Sequence, residues 1–216
     1  MKNGALQPYE RSLRAPGELA MVADDGREVT LNVARWLAPA DPADDTVLSR
    51  CVGPVLDVGC GPGRLVRALS ERSVACLGVD IAETAVSLTR GLGVPALLRN
   101  VFAQVPGEGR WPTVLLMDGN VGIGGDPRRL LARIARLLAA DGRLIVETDP
   151  DPKLEIMSTV RFVVRGNPVG PSFEWAEIGL DVLRRDAEPV GLYLTDVWSV
   201  AGRTFAALSS RLTLIR

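Results

Sequence analysis

Residues 55–64 read Val-Leu-Asp-Val-Gly-Cys-Gly-Pro-Gly-Arg, an apolar run ending in three glycines at alternate positions. Gly59, Gly61 and Gly63 stand where a strand would turn into a helix. Glycine there lets the backbone approach a ligand closely, and the helix N-terminus is electropositive. Asp57 lies two residues before the first glycine. A carboxylate beside such a loop suits a cationic ligand better than a pyrophosphate, because like charges repel at close range. The dinucleotide pattern GxGxxG would need a glycine where Arg64 stands. A second carboxylate, Asp80, closes the apolar run 74–80 and is followed by Ile81. Asn100, with Val101 and Phe102, follows the run 94–100. Asp118 closes the run 113–118, with Asn120 two residues on, and Asp149 closes the run 143–149. Asp118 and Asn120 are candidates for orienting a substrate, with Asp118 able to remove a proton. The plain alternative is turn chemistry, since Asp-Gly-Asn is a strong turn signal.

The chain contains no histidine. Ser-His and Cys-His nucleophile pairs, a histidine base and histidine-containing metal sites are therefore excluded. Cys51, Cys60 and Cys76 are an odd number without a CxxC pair, which reads as reduced, packed thiols. No clustered ligand set suggests a metal.

Those residues need a scaffold. Five apolar runs (54–59, 74–80, 94–100, 113–118, 143–149) alternate with helical segments at 64–71, 83–90 and 126–140. Strands alternating with helices predict a parallel sheet covered on both faces. Asp126 and Pro127 predict the start of the third helix, with Leu130, Leu131, Ile134, Leu137 and Leu138 inward and Arg129, Arg133 and Arg136 on a solvated face. Ala85 and Leu88 are expected inward on the second helix. Residues 192–200 and 203–210 read as strands joined tightly at Ala201-Gly202, an antiparallel pair at the sheet's end. A strand over 154–164, a loop over 166–172 and a helix over 173–187 are expected between them. In the first 50 residues, runs flanking Asp25-Gly26 predict a hairpin, followed by short helices at 34–37 and 46–50, the latter capped by Asp45. The expected fold is an α/β three-layer sandwich. Its sheet is seven-stranded and mostly parallel with an antiparallel C-terminal hairpin, and a small hairpin and helical extension precedes it. One domain is expected over 1–216, comprising an extension or lid (1–50), a ligand-binding core (51–150) and a substrate-side segment with the hairpin (151–216).

In these motifs the chain resembles the class I S-adenosylmethionine (SAM)-dependent methyltransferases, whose first motif residues 56–64 match closely. The resemblance implies SAM as cofactor and S-adenosylhomocysteine (SAH) as product. It implies a cofactor site of Asp57, Gly59, Cys60, Gly61, Gly63, Asp80, Ile81, Asn100, Val101, Phe102 and Asp118. Asp80 would take the ribose hydroxyls. Asn100 departs from the aspartate often found there, yet its carbonyl oxygen can still accept from the adenine amino group. Tyr9 and Arg14 fall where a lid would close the site, although a solvated helix is the simpler expectation. Tyr9, Asp149 and Trp175 are the candidate substrate contacts. Core packing is the simpler expectation for Phe173 and Trp175.

Composition narrows the acceptor. Twenty-five Lys and Arg against 26 Asp and Glu leave a formal net charge of -1, without the basic excess of a general nucleic-acid binder. No apolar run approaches the roughly 20 residues that span a bilayer, and the first residues lack the pattern of a signal peptide. A cytoplasmic bacterial enzyme is expected, with no nucleic-acid or membrane partner. The expected reaction is methyl transfer to a small molecule of specialised metabolism, oxygen slightly ahead of nitrogen. Alternatives are a SAM-binding protein without methyl transfer and an NAD-dependent oxidoreductase.

Overall fold

The computed structural model describes residues 4–210. In chain order the elements are α1 (Gln7–Arg14), β1 (Ala20–Ala23), β2 (Glu28–Thr30), α2 (Val33–Leu37), α3 (Pro42–Leu48), β3 (Val55–Val58), α4 (Arg64–Glu71), β4 (Cys76–Asp80), α5 (Glu83–Gly91), β5 (Ala96–Leu98), β6 (Trp111–Leu116), α6 (Pro127–Leu137), β7 (Leu138–Thr148), β8 (Glu155–Val164), β9 (Asn167–Ile178), α7 (Leu180–Ala187), β10 (Tyr193–Val200) and β11 (Arg203–Ser209). Seven strands form the main sheet in the order β10-β11-β7-β6-β3-β4-β5. β3 pairs in parallel with β4 and β6, β4 with β5, and β6 with β7. β11 joins β7 antiparallel and β10 closes that edge. This is the expected mostly parallel sheet. β3, interior to the sheet, is buried along its whole length, as a strand covered on both faces should be.

Helices cover both faces. Leu130, Leu131, Ile134 and Leu137 of α6 pack into one cluster with Leu56, Val114 and Leu144 of the sheet. On the other face Leu65 and Leu69 of α4 meet Val55, Leu115, Ile145 and Phe205. Asp126 caps α6, accepting from the Arg129 N–H at 2.9 Å. α3 begins earlier than expected, with Asp41 and Asp44 in a reciprocal capping box. Two side chains lie on faces other than those expected. Leu88 points outward, and Thr84, Ala85, Val86 and Thr89 are the buried side of α5. Arg133 is buried because its guanidinium bonds the carbonyls of Val101 and Ala103 and the Glu108 carboxylate.

A second sheet, absent from the expectation, has the order β2-β1-β8-β9. The predicted N-terminal hairpin is its first half, with Met21 opposite Val29 and also opposite Phe162. Its second half replaces the expected 166–172 loop and the first part, 173–178, of the expected 173–187 helix. β8 turns at Arg165-Gly166, both at positive φ (51° and 75°), and β9 runs on to Ile178. Phe173 and Trp175 alternate toward one face, and β-branched and aromatic residues favour such pleated, half-buried surfaces. Helix α7 therefore starts only at Leu180.

Candidate functional site

The carboxyl ends of the parallel strands open into one cavity of ≈ 920 Å³ beneath the second sheet and α1. Small-molecule sites run from about 300 to 1,000 Å³, so this one has room for two ligands side by side.

The glycine loop forms one wall. Gly59 and Cys60 both donate their N–H groups to the Val79 carbonyl, at 2.8 and 3.1 Å, which ties the loop to β4. Gly59 has φ 73°, and a Cβ there would lie 2.5 Å from the Asn120 amide nitrogen. That close approach has a purpose: Asn120 Nδ2 donates to the carbonyls of Val58 and Gly59, each at 2.9 Å. Asn120 thus holds the loop. Gly63 does not line the cavity. It begins α4 at φ 96°, where a Cβ would lie 2.8 Å from Thr89 Oγ1, so its role is close packing of α4 on α5. Thr89 in turn donates to the Gly61 carbonyl at 2.9 Å. Cys60 lines the cavity, but burial holds its thiol well above the ordinary range, so it is no nucleophile.

Asp57, Asp80 and Asp118 face the same space. Asp80 accepts from the Gly61 N–H at 2.9 Å and the Ala82 N–H at 2.8 Å, and Ile81 lines the cavity beside it. Burial raises the Asp80 carboxyl above the usual range, the amide donors opposing it. Burial pushes Asp57 up to about 7, with the Asp118 charge adding to the rise. Both acids would gain from a cation placed between them. Asn100 Oδ1 accepts from the Phe102 N–H at 2.9 Å, leaving one lone pair for a ligand. Val101 and Phe102 continue this wall, with the Arg129 guanidinium 4.3 Å from the Phe102 ring centroid.

Asp118 stands in an ionic cluster that sequence reading missed. Its carboxylate pairs with Arg64 and lies 3.2 Å from Arg35 and 3.7 Å from Arg203. Arg64 also pairs with Asp44, whose side chain is fully buried. Arg203 bonds Asp44 at 2.8 Å and grips both oxygens of Glu147, at 2.8 and 2.7 Å. Glu147 accepts the Asp118 N–H at 2.8 Å, fixing a residue whose φ is 54°. Asp118 Oδ1 is buried and accepts no hydrogen bond among the described residues. Burial raises the Asp118 carboxyl, with Arg64 opposing. The only signal of the cluster in sequence is Arg64 itself, adjoining the glycine motif; Arg35, Asp44, Glu147 and Arg203 come from distant segments.

Tyr9 covers the loop. Its hydroxyl would lie 3.3 Å from a Cβ on Gly61, and its ring meets Trp36 edge-on with centroids 5.8 Å apart. Burial, then the Asp80 charge, holds its phenol well above the ordinary value, so it is neutral. α1 is docked rather than solvated. Glu10 accepts the Thr84 N–H at 3.1 Å, and Arg14 donates to Thr84 Oγ1 at 2.7 Å. One of the orphan donors at the start of α5 is thereby satisfied.

The opposite end is apolar. Phe162, Phe173 and Trp175 line it in a chain of ring contacts, centroids 5.1 and 6.4 Å apart. Asp149 lies at the end of β7, where its Oδ1 accepts the Asp151 N–H at 2.8 Å. The structure thus brings every predicted site residue except Gly63 to one cavity. Among the described residues no group of three or more His, Cys, Asp or Glu is arranged to hold a metal, and no helix is long and apolar enough to cross a membrane.

Residues 26–176 match the family described as a methyltransferase domain. The chain belongs to this family. Among relatives of this methyltransferase-domain chain is the ubiquinone biosynthesis O-methyltransferase of Bordetella avium (strain 197N), 26% identical over 171 residues, covering 69% of this chain and 70% of that protein. The enzyme of the same name from Acinetobacter baylyi is 25% identical over 154 residues, covering 66% and 64%. Matches to these curated relatives thus span from about half (49%) to 70% of their length. Among solved structures, a SAM-dependent methyltransferase from Bacteroides fragilis in complex with SAH superposes with a TM-score of 0.75 at 19% identity, over 94% of this chain and 92% of that one. The Burkholderia thailandensis 1,6-didemethyltoxoflavin-N1-methyltransferase gives 0.58 at 19% identity, over 78% and 76%. At such identities the likeness is one of fold.

Proposed function

We propose that the protein transfers a methyl group from SAM to a small-molecule acceptor of specialised metabolism, releasing SAH. The observation that carries this reading is the cradle. A glycine loop held open to the cavity faces three carboxylates, Asp57, Asp80 and Asp118, at the ends of parallel strands. A sulfonium nucleoside with an ammonium group is a cation of that shape, and Asp57 and Asp80, which have no ion pair among the described residues, are the carboxylates that face it. Asp80 would take the ribose hydroxyls, with Ile81 beside the sugar. Asn100, Val101 and Phe102 would border the adenine, and the backbone of Gly59, Cys60 and Gly61 would follow the amino-acid tail.

The cofactor supplies the electrophilic methyl and a leaving group that departs neutral. The chain's own task is to align the acceptor with it and exclude water. Tyr9 and Trp36 close one side, and Phe162, Phe173 and Trp175 close the other. Asp118 and Asn120 act here as positioning groups: one in the Arg64 cluster, the other on the loop. We read 51–150 as the cofactor core, and 1–50 with 151–178 as the acceptor-side cover.

The test is calorimetric titration with SAM, SAH and NADH. Micromolar binding of the first two and none of NADH supports the reading; NADH binding with no SAM binding would overturn it in favour of a dehydrogenase. SAH formation with an acceptor, followed by mass spectrometry, separates an enzyme from a protein that only binds SAM. A second reading, oxygen methylation of a quinone precursor, is favoured by the names of the ubiquinone-pathway relatives.

A further inference from the structure

The glycine loop is tied to the C-terminal hairpin by a continuous run of contacts. Arg203 opens β11, directly after the turn residues Ala201 and Gly202, both at positive φ (52° and 77°). Phe205 pairs directly with Glu147 of β7, so Arg203, Phe205 and Glu147 share one face of the main sheet. The Arg203 guanidinium lies 4.8 Å from the Phe205 ring centroid. It donates to both oxygens of Glu147, at 2.8 and 2.7 Å. A planar fork on two oxygens fixes the plane of the carboxylate as well as its position. Glu147 Oε2 also accepts the Asp118 N–H at 2.8 Å. Asp118 and Gly119 have φ of 54° and 80°, so the chain turns sharply after β6. Residues other than glycine rarely hold that conformation, and it persists where neighbours fix it. The turn delivers Asn120, whose amide donates to the Val58 and Gly59 carbonyls, each at 2.9 Å. A shift of the turn would therefore move the glycine loop or break both bonds.

We infer that Arg203 and Glu147 are positioning residues for the cofactor loop, acting through the 118–120 turn on Asn120. This rests on reading that loop as the SAM site, and it gives the C-terminal hairpin a part in cofactor binding. Glu147 lines the cavity, but Arg203 engages both its oxygens, so its task is to hold backbone. Arg203 has a second route to the site, through Asp44 and the Asp118 carboxylate, at 2.8 and 3.7 Å. The two routes predict different couplings with Asn120.

The test is a double-mutant cycle on the full chain, read by calorimetric titration with SAH. Glu147→Gln keeps the shape but turns an N–H donor toward the guanidinium or the Asp118 N–H, and is expected to weaken SAH about tenfold. Asn120→Ala is expected to weaken it by a similar factor. In the Asn120→Ala background, Glu147→Gln is expected to add less than about twofold. Arg203→Lys, a point charge in place of a fork, is expected to fall between the native chain and Glu147→Gln, and it carries the same cycle if Glu147→Gln fails to fold. A lowered denaturation midpoint with unchanged SAH affinity would make the pair structural only and overturn the inference. Losses that multiply in the double variant would also overturn it, by assigning the effect to the Asp118 carboxylate. Hydrogen exchange reads the same coupling without ligand: amides of 59–61 are expected to exchange faster in Glu147→Gln, with those of β8 and β9 unchanged. If the native chain binds no SAH, the SAM reading falls and exchange at 59–61 decides the positioning role, unchanged rates there overturning it.

Discussion

The two ends of the cavity are built by different means. The glycine-loop end is made of backbone and short polar side chains at the ends of adjacent parallel strands, with Asp118 locked into a cluster of guanidiniums and carboxylates and Asp80 held by backbone amides. The far end is a patch of aromatic rings on an antiparallel sheet, with Arg27 paired to Glu177 at its border. The first construction fixes one ligand shape through many hydrogen bonds. The second sets only size, flatness and charge, so an acceptor site can diverge there without disturbing the loop.

The contrast can be broken at its strongest point first. Arg64 is buried between Asp44 and Asp118, and Arg64→Met leaves both carboxylates without it. Removing one partner of a buried ionic group costs about 3–5 kcal/mol, which chemical denaturation would read as a large loss of midpoint. Retained stability would mean that the cluster is not a foundation of the loop end. Next is Asp80→Ala, expected to weaken SAM by about 1–3 kcal/mol, roughly 10- to 100-fold, by leaving buried partners unpaired. Unchanged affinity in calorimetry would remove Asp80 from the ribose role. If the two ends are independent, Phe173→Leu at the aromatic end should cost under about 1.5 kcal/mol of stability and leave SAH affinity within about twofold. A tenfold loss of SAH would mean that the ends are coupled.

A pH effect tests the loop end separately. Burial makes Asp57 hold its proton up to about 7 in the folded chain, against about 3.9 for an ordinary aspartate. The folded state therefore binds more protons between those values, and stability falls as pH rises from about 4 to 7, then levels. A bound cation favours the charged form of Asp57. SAM, with its extra sulfonium charge, should accordingly gain more affinity over SAH, by several-fold, as pH rises from 6 to 8. Asp57→Asn should flatten both trends; persistence of either would assign it to another group.

The same division governs what could be read from sequence. The loop end rests on contiguous signals: the glycines, the Asp or Asn at the end of each apolar run, the proline after the Asp126 cap. Their meaning is local, so Asp57, Asp80, Asn100 and Asp118 could be found before any contact was known. The other end depends on pairings between distant segments. Residues 173–178 carry as many apolar positions as a helix face would need, and only β8 alongside makes them a strand. Arg133 and Leu88 fell on the wrong faces for a related reason: their surroundings are loop carbonyls and open solvent, which helical periodicity does not encode. Gly63 matched the motif yet serves packing, because Thr89, from the following helix, sets its neighbourhood.

The pairing of β1 with β8 has a further consequence. Residues 20–23 leave the ribosome early, but their partners are residues 160–163, so this edge must wait while the chain between them is made and folded. Contacts that close so long a span form slowly, and the aromatic patch stays open in the interval. The loop end can organise from neighbouring strands before then. Amide protons of β1 and β2 should accordingly gain exchange protection last during refolding, and SAH supplied at the start should find its site before the acceptor's exists.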